Sequence, residues 1–166
     1  FVAELASEAS GNTVLREYGD AAILPAHGQR IALTTDSFVV KPVVFPGGDI
    51  GKLAVCGTVN DLAVAGAQPR YLTAGVILEE GLPLTLLRQV VRSMAATARA
   101  AGVLVVAGDT KVVEKGAADG LYINTAGLGW VPEGRDLRPE RLQAGDLLLV
   151  NGTLGDHGMA VMTARE

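Results

Sequence analysis

Apolar residues recur along the chain with two different periods, and together they predict a mixed α/β domain. Short runs rich in Val, Ile and Leu, bounded by Gly, Pro or Asp, predict strands. Longer stretches in which apolar residues recur every three to four positions predict helices. The strands are predicted at residues 19–24 (a turn entering a strand), 31–40, 71–79, 103–107, 121–130 and 146–150.

Helices are predicted in four stretches, the last of which follows the Gly-rich loop that ends at Gly158 and reaches Glu166. Residues 1–18 hold a weak helical pattern broken at residues 11–12. Pro83 opens an amphipathic helix that Gly102 ends. Residues 50–66 form a central helix. We therefore expect an α/β (α+β) fold in which a mixed sheet packs on helices.

The central helix is apolar almost all the way round, which is typical of a buried helix. Asp49 is a suitable N-cap and Gly66 a suitable stop, and Cys56 is expected to be buried. Asn60 and Asp61 lie in the helix interior, where no cap explains them. A buried, unpaired carboxylate needs a cation, several hydrogen-bond donors or a raised pKa. The alternative is that Asp61 hydrogen-bonds a neighbouring loop, or that the helix breaks there.

Composition argues against several classes of protein. The 166 residues carry a net charge of −4 without a Lys/Arg cluster, which argues against a nucleic-acid partner. No apolar run reaches the roughly 18 residues that a membrane helix needs. Three arginines on the helix after Pro83 are interpreted as a solvated face. A single cysteine excludes a disulfide within the chain and favours a reducing, cytoplasmic setting.

A connector rich in Pro and Arg, residues 132–145, predicts a domain boundary. We expect one domain at residues 1–143 and the start of a second at residues 144–166, because the strand at 146–150 and the Gly-rich loop at 151–158 have no partner within the chain. The first residue, Phe1, and the last, Glu166, both look like cuts in a longer protein.

Four aspartates share a similar context: Asp20, Asp36, Asp61 and Asp109 are each flanked by small residues near the end of an apolar element or inside the central helix. Singly, each is explained by turn chemistry. Converging on one cleft, they would need a divalent cation, and Mg²⁺ suits carboxylates and phosphates. Lys111 would then stand near a phosphate. Neither a Walker loop nor a Gly-x-Gly-x-x-Gly fingerprint is present.

The two histidines differ in their settings. His27 lies in a polar turn and is interpreted as solvated. His157 lies in a Gly-rich loop after a predicted strand, where a packing role and a catalytic role both remain open. We keep His157 with Lys111 as a catalytic candidate.

Four segments together resemble the superfamily of aminoimidazole ribonucleotide (AIR) synthetase, selenophosphate synthetase and thiamine monophosphate kinase. Within it, the match is close to the HypE family of hydrogenase maturation proteins. The segments are DSFVVKP (36–42), FPGGDIGKLAVCGTVNDLA (45–63), AGDTKVV (107–113) and NGTLGDHG (151–158).

The resemblance implies an AIR synthetase-like N-terminal domain that dimerises through its sheet and binds ATP and Mg²⁺. In the family, ATP drives dehydration of a carbamoyl group on the enzyme's own C-terminal cysteine to a thiocyanate, the source of cyanide ligands for the iron of [NiFe] hydrogenase. The partners would be a carbamoyl-transferring maturation protein and an iron-carrying scaffold. Carried over by motif, the metal ligands are Asp36, Asp61 and Asp109, and the wider nucleotide-binding set adds Asp20, Asn60, Thr110 and Lys111.

The chain departs from the family pattern at both ends, where a Gly-rich N-terminal segment and the domain with the acceptor cysteine are missing. Cys56, in mid-helix, does not replace that cysteine, so this stretch alone is expected to be inactive. Two alternatives stay open: a small-molecule kinase or ligase of the same superfamily, and a non-catalytic dimerisation module.

Overall fold

A mixed sheet packed on helices, as predicted, is the fold in the computed structural model, which describes residues 2–10, 14 and 19–165. Of the predicted N-terminal helical stretch, residues 1, 11–13 and 15–18 lie outside the described residues. The strands are β1 (Ala22–Ala26), β2 (Gln29–Phe38), β3 (Val44–Phe45), β4 (Gly48–Asp49), β5 (Gln68–Glu79), β6 (Leu104–Val113) and β7 (Leu121–Val131). The helices are α1 (Val2–Ser10), α2 (Ile50–Val64), α3 (Leu84–Ala100) and α4 (Asp156–Thr163).

Five strands form one sheet in the order β1-β2-β7-β5-β6, and β3 pairs with β4 in a separate hairpin. The β5–β6 pair is parallel, whereas the other pairs in the large sheet are antiparallel. The crossover between β5 and β6 is α3. Because β6 pairs only with β5 among the described strands, it forms an edge of the sheet.

Helices α2 and α3 cover one face of this sheet, which we call the helix-covered face. Alternate residues of β2, including Ala32 and Phe38, point into the core on this side. The backbones approach closely: a Cβ added at Gly127 of β7 would lie 2.7 Å from Cγ2 of Thr58 in α2. Glycine at this position therefore lets α2 lie directly on the sheet.

The local signals at the ends of α2 are confirmed. Oδ1 of Asp49 accepts a hydrogen bond of 3.0 Å from the backbone N–H of Lys52, and Gly66 adopts a φ of +86° just beyond the helix. The expectation that α2 is buried all round is wrong. Cys56 is only half-buried and Val64 is 56% exposed, because nothing in the described part of the chain covers the outer side of the helix.

Two strand predictions are corrected by the structure. Residues 108–111 were expected to form a loop after a short buried strand, but they continue β6, and the strand is exposed. Pairing with β5 extends the strand to Val113, and its position at the sheet edge leaves it exposed. Residues 146–150 form no strand; their three consecutive leucines are 86–95% exposed, because no described strand offers them a hydrogen-bonding ladder.

No helix in the described part of the chain covers the opposite face of the sheet, and we call it the helix-free face. Alternation along the strands directs a set of large apolar side chains to this face, each 38–63% exposed: Leu33, Tyr71, Ile77, Leu104 and Trp130. Separately, each helix in the described part of the chain is too short or too polar to cross a bilayer.

Candidate functional site

Asp20, Asp36 and Asp61 are brought together at the helix-covered face. Asp36 extends from β2 on the same side as the buried Phe38, and Asp61 extends from α2. The hydroxyl of Thr34 links Asp20 to Asp61. Its Oγ1 lies 2.8 Å from the carbonyl oxygen of Asp20 and 3.3 Å from Oδ2 of Asp61. Sequence reasoning missed Thr34, although the alternation of β2 places it on the same face as Asp36.

Gly57 allows Asp36 to approach α2. A Cβ at Gly57 would lie 3.6 Å from Oδ2 of Asp36 and only 2.7 Å from the ring of Phe38. Gly57 and Asp61 are four residues apart and therefore lie on one side of α2. The Asp36 carboxylate consequently faces the helix about one turn from Asp61.

The pKa of Asp61 is raised above its ordinary value, first because burial penalises the charged form. The negative charges of Asp36 and Asp20 raise this pKa further, while the hydrogen bond from Thr34 opposes the shift. The adjacent Asn60 is exposed. The alternative of a helix broken at Asp61 is wrong, because α2 continues to Val64. A cation would relieve the mutual repulsion of these carboxylates.

Two buried threonines hold α2 against the strand that neighbours Asp36. Thr125 of β7 pairs with Asp36 in the sheet register, and its hydroxyl donates a 3.3 Å hydrogen bond to the carbonyl of Ala54. The hydroxyl of Thr58 in turn makes a short hydrogen bond to Oγ1 of Thr125. Both side chains are fully buried, so the position of α2 relative to β2 is held by satisfied polar contacts as well as by apolar packing.

Asp109 does not join the other three aspartates in this chain. In the parallel register Asp109 lies beside Gly75, which places its side chain on the helix-free face. Its partner there is Lys111, whose Nζ lies 2.7 Å from Oδ2 of Asp109, and both side chains are about 70% exposed. The hydrogen bond from Lys111, followed by that from the N–H of Thr110, lowers the pKa of Asp109.

The predicted convergence of all four carboxylates on one cleft is therefore not found within one chain. Among the described residues, no group of three or more His, Cys, Asp or Glu side chains is arranged to hold a metal ion. The assignment of Asp36, Asp61 and Asp109 as one metal set stays a prediction. For these three residues to bind one metal ion, a further part of the protein would have to link the two faces of the sheet.

A row of polar side chains crosses the helix-free face next to Asp109. In register, Ser37 lies opposite Asn124, Asn124 opposite Gly75, and Gly75 beside Asp109. The amide nitrogen of Asn124 donates to Oγ of Ser37 at 3.0 Å. Asn124 was not identified from the sequence; alternation along β7 is the signal that could have indicated it.

The two histidines also have defined surroundings. His27 is exposed and occupies a hairpin turn with a φ of +47°. His157, in the first turn of α4, contacts the ring of Phe45 edge-on with centroids 5.2 Å apart. Val161, one turn further on, is buried in the core. The structure thus gives His157 a packing contact, and its catalytic role stays a prediction.

The fold agrees with a comparison against known protein families. The family model for the N-terminal domain of AIR synthase-related protein matches residues 18–131. The chain therefore belongs to the AIR synthase-related family.

Within this family the resemblance to HypE proteins is confirmed. Carbamoyl dehydratase HypE of Escherichia coli K12 is 60% identical over 147 residues, covering 89% of this chain and 44% of the relative. A solved HypE–HypF complex matches with a TM-score of 0.91 and 55% identity over 99% of this chain and 53% of the other. A solved structure of HypE in complex with ATP matches with a TM-score of 0.80 and 48% identity, over 96% of this chain and 47% of the other. The chain spans less than half of the length of the curated relatives that it matches.

Proposed function

We propose that the full-length protein is an ATP-dependent carbamoyl dehydratase that acts in the maturation of [NiFe] hydrogenases. The observation that carries the proposal is the 60% identity to a relative named carbamoyl dehydratase HypE, over 89% of this chain. The ATP-bound relative supports nucleotide use. A small-molecule kinase or ligase of the same superfamily is the alternative that the experiment below excludes or supports.

The proposed reaction removes the elements of water from a carbamoyl group on a C-terminal cysteine. The carboxamide oxygen attacks the γ-phosphorus of ATP and ADP leaves. The C–O bond then breaks as the nitrogen loses its two protons, one of which ends on the departing phosphate and the other in solvent. RS–CO–NH₂ and ATP thus give RS–C≡N, ADP, hydrogen phosphate and one proton. Cys56 is unsuited to be the carrier, because it is held in mid-helix and half-buried.

Asp36 and Asp61, with Asp20 beside them, are the residues that would hold Mg²⁺ with the nucleotide phosphates. The donor set fits, since Mg²⁺ commonly uses one or two carboxylates and completes its octahedron with phosphate oxygens and water. Bound Mg²⁺ would neutralise phosphate charge. Asn60 is exposed beside this group and is retained as a neighbour of the nucleotide.

We propose further that two copies pack through the helix-free face. The exposed apolar side chains of that face are the support, because an uncovered apolar sheet face is an aggregation hazard unless it is paired. In such a dimer Asp109 and Lys111 would lie at the contact between the copies, because both side chains share the helix-free face, whereas Thr110 between them points to the opposite face. His157 remains a candidate for proton transfer.

The partners proposed are a carbamoyl-transferring protein equivalent to the HypF of the solved complex and an iron-carrying scaffold. We propose a cytoplasmic setting for this reaction. A single cysteine in the 166 residues fits a reducing compartment.

The decisive experiment follows the oxygen atom. The full-length protein, carbamoylated with ¹⁸O in the carboxamide, is incubated with Mg²⁺ and ATP, and the phosphate and the cysteine adduct are analysed by mass spectrometry. We expect the ¹⁸O to appear in the phosphate. In a parallel sample with unlabelled carboxamide, the cysteine adduct should lose 18 Da. Phosphoryl transfer to a small molecule with an unchanged adduct would support the kinase alternative instead.

The proposed metal ligands are tested by calorimetric titration of Mg²⁺ and ATP. Asp61→Asn is expected to weaken magnesium-dependent ATP binding while the protein stays folded, because it removes a carboxylate oxygen from the site. The matched control is Asp146→Asn, an exposed aspartate outside the group. Equal ATP affinity in both variants would mean that Asp61 is structural.

A further inference from the structure

The loop that joins β6 to β7, residues 114–120, is fastened by one carboxylate, that of Glu79 at the end of β5. Oε1 of Glu79 accepts the N–H of Gly116 at 2.6 Å, and Oε2 accepts the N–H of Gly120 at 2.8 Å. The backbone adds two bonds: Glu79 N–H to Gly120 O at 2.8 Å and Glu80 N–H to Val113 O at 2.9 Å. We call these contacts the Glu79 clamp.

The clamp lies at the end of β6 where, among the described residues, few other contacts hold the strand. Residues 104–112 of this strand are exposed, and they form a ladder with β5 alone among the described strands. The start of β6 is held by the end of α3 through a 3.0 Å bond from Val103 N–H to Ala98 O. Its other end, at Val113, runs directly into the clamped loop.

We propose that Glu79 is a positioning residue, which fixes the C-terminal end of β6 and thereby holds Asp109 and Lys111 in place on the helix-free face. Glu79 contacts neither residue and acts through the strand that carries them. Lys111 lies two residues before Val113, so loosening of the loop would first allow this end of β6 to move. The proposal rests on the proposed function only where it concerns turnover.

A second contact on the same loop is weaker. Nζ of Lys41 lies 2.7 Å from Oδ1 of Asp119, but the two side chains are 71% and 40% exposed. Ion pairs in such surroundings contribute little, because water and salt screen them. The hydrogen bonds from Gly116 and Gly120 lower the pKa of Glu79, so the clamp is fully charged at neutral pH. Glu79 thus holds the loop at two backbone positions, whereas the hydroxyl of Tyr122 holds it at one, by accepting a 3.1 Å bond from the N–H of Asp119.

The test compares Glu79→Gln with Glu80→Gln in the full-length protein. Glutamine offers one acceptor oxygen, and its NH₂ group faces an N–H that needs an acceptor. Glu80 is exposed and its side chain makes no hydrogen bond that defines the loop, so it is a matched control. Glu79→Asp is a second variant, which keeps the charge but shortens the reach.

Amide hydrogen exchange at Gly116, Gly120 and residues 110–113 is expected to accelerate about tenfold or more in Glu79→Gln. Exchange in Glu80→Gln should be unchanged, and Glu79→Asp should lie between. Turnover in Glu79→Gln should fall by a larger factor than ATP affinity, because Lys111, which lies nearer to the clamped end than Asp109, is displaced first and loses mainly transition-state contacts.

Exchange in Glu79→Gln that equals exchange in Glu80→Gln would overturn the clamp. Faster exchange with unchanged turnover would overturn the positioning role. A wild-type protein without ATP-dependent turnover would contradict the proposed function instead, and the exchange data would still decide whether Glu79 holds the end of β6.

Discussion

The two faces of the five-stranded sheet are built from the same strands, yet carboxylates on them behave in opposite ways. On the helix-covered face, burial and the charges of Asp36 and Asp20 raise the pKa of Asp61. On the helix-free face, water and Lys111 surround Asp109, and the pKa of that carboxyl is lowered. One face therefore concentrates negative charge that a cation would relieve, and the other carries a neutralised ion pair.

Apolar residues show the same contrast. The helix-covered face forms the core, where Leu121, Ile123 and Leu72 are essentially inaccessible to solvent. The helix-free face leaves large apolar side chains accessible around its polar row. The contrast supports the proposal that the helix-free face is an interface, whereas the helix-covered face forms the core.

The largest effect that we expect comes from the helix-free face, with Lys111→Ala in the full-length protein. If Lys111 stabilises charge that develops in the transition state, turnover should fall by about 10²–10³ with little change in ATP affinity. Phosphate release and ATP titration measure the two effects. Arg92→Ala, which removes an exposed cation from α3, is the control; equal losses in both variants would remove the special role of Lys111.

Dimerisation is the next largest effect. Leu33→Glu places a charge on the helix-free face, and burying it unpaired should weaken the dimer by roughly 10²-fold. Val91→Glu is the matched control, because Val91 is 53% exposed on α3, away from the sheet. Sedimentation equilibrium gives both dissociation constants. A wild-type chain that is monomeric at micromolar concentration would contradict the proposed interface.

A moderate loss of stability is expected on the helix-covered face from Gly57→Ala. The added Cβ meets the buried ring of Phe38, and such overpacking typically costs about 1–3 kcal/mol. Gly158→Ala is the control, since a Cβ there meets nothing within 4 Å and the residue lies inside α4. Urea denaturation compares the two. Equal stability would mean that Phe38 and α2 adjust to the extra carbon without cost.

The smallest effect is a difference in pH dependence between the two faces. Because the folded-state pKa of Asp61 is raised from 3.8, its stabilising contribution is complete below pH 3.8 and is lost as the pH rises through the folded value. Asp61→Asn should therefore gain thermal stability relative to wild type as the pH rises towards 7, without Mg²⁺.

Asp109→Asn should show the opposite trend. The folded-state pKa of Asp109 is lowered from 3.8, so its contribution is present above pH 3.8 and is lost as the pH falls through the folded value. The variant should lose stability relative to wild type near neutral pH and approach it in acid. Parallel pH profiles of melting temperature for the two variants would contradict the contrast between the faces.

Much of the fold could be predicted from the sequence because its signals are local. Asp49 and Gly66 mark the ends of α2 through the backbone N–H groups and the φ angle that a helix terminus requires. Pro83 marks the start of α3 through its fixed φ, without a capping side chain, and Gly102 marks the end with a φ of +68°. The extent of β6 could not be predicted, since it depends on pairing with β5, which is distant in sequence.

The candidate site likewise depends partly on local sequence and partly on tertiary structure. The sequence by itself determined which residues are acidic and which motifs surround them, and with these the family to which the chain belongs. Tertiary structure decided that Asp20, Asp36 and Asp61 meet while Asp109 lies across the sheet. The physical reason is strand register: side chains alternate between faces, so the pairing of β5 with β6 sets on which side of the sheet Asp109 stands.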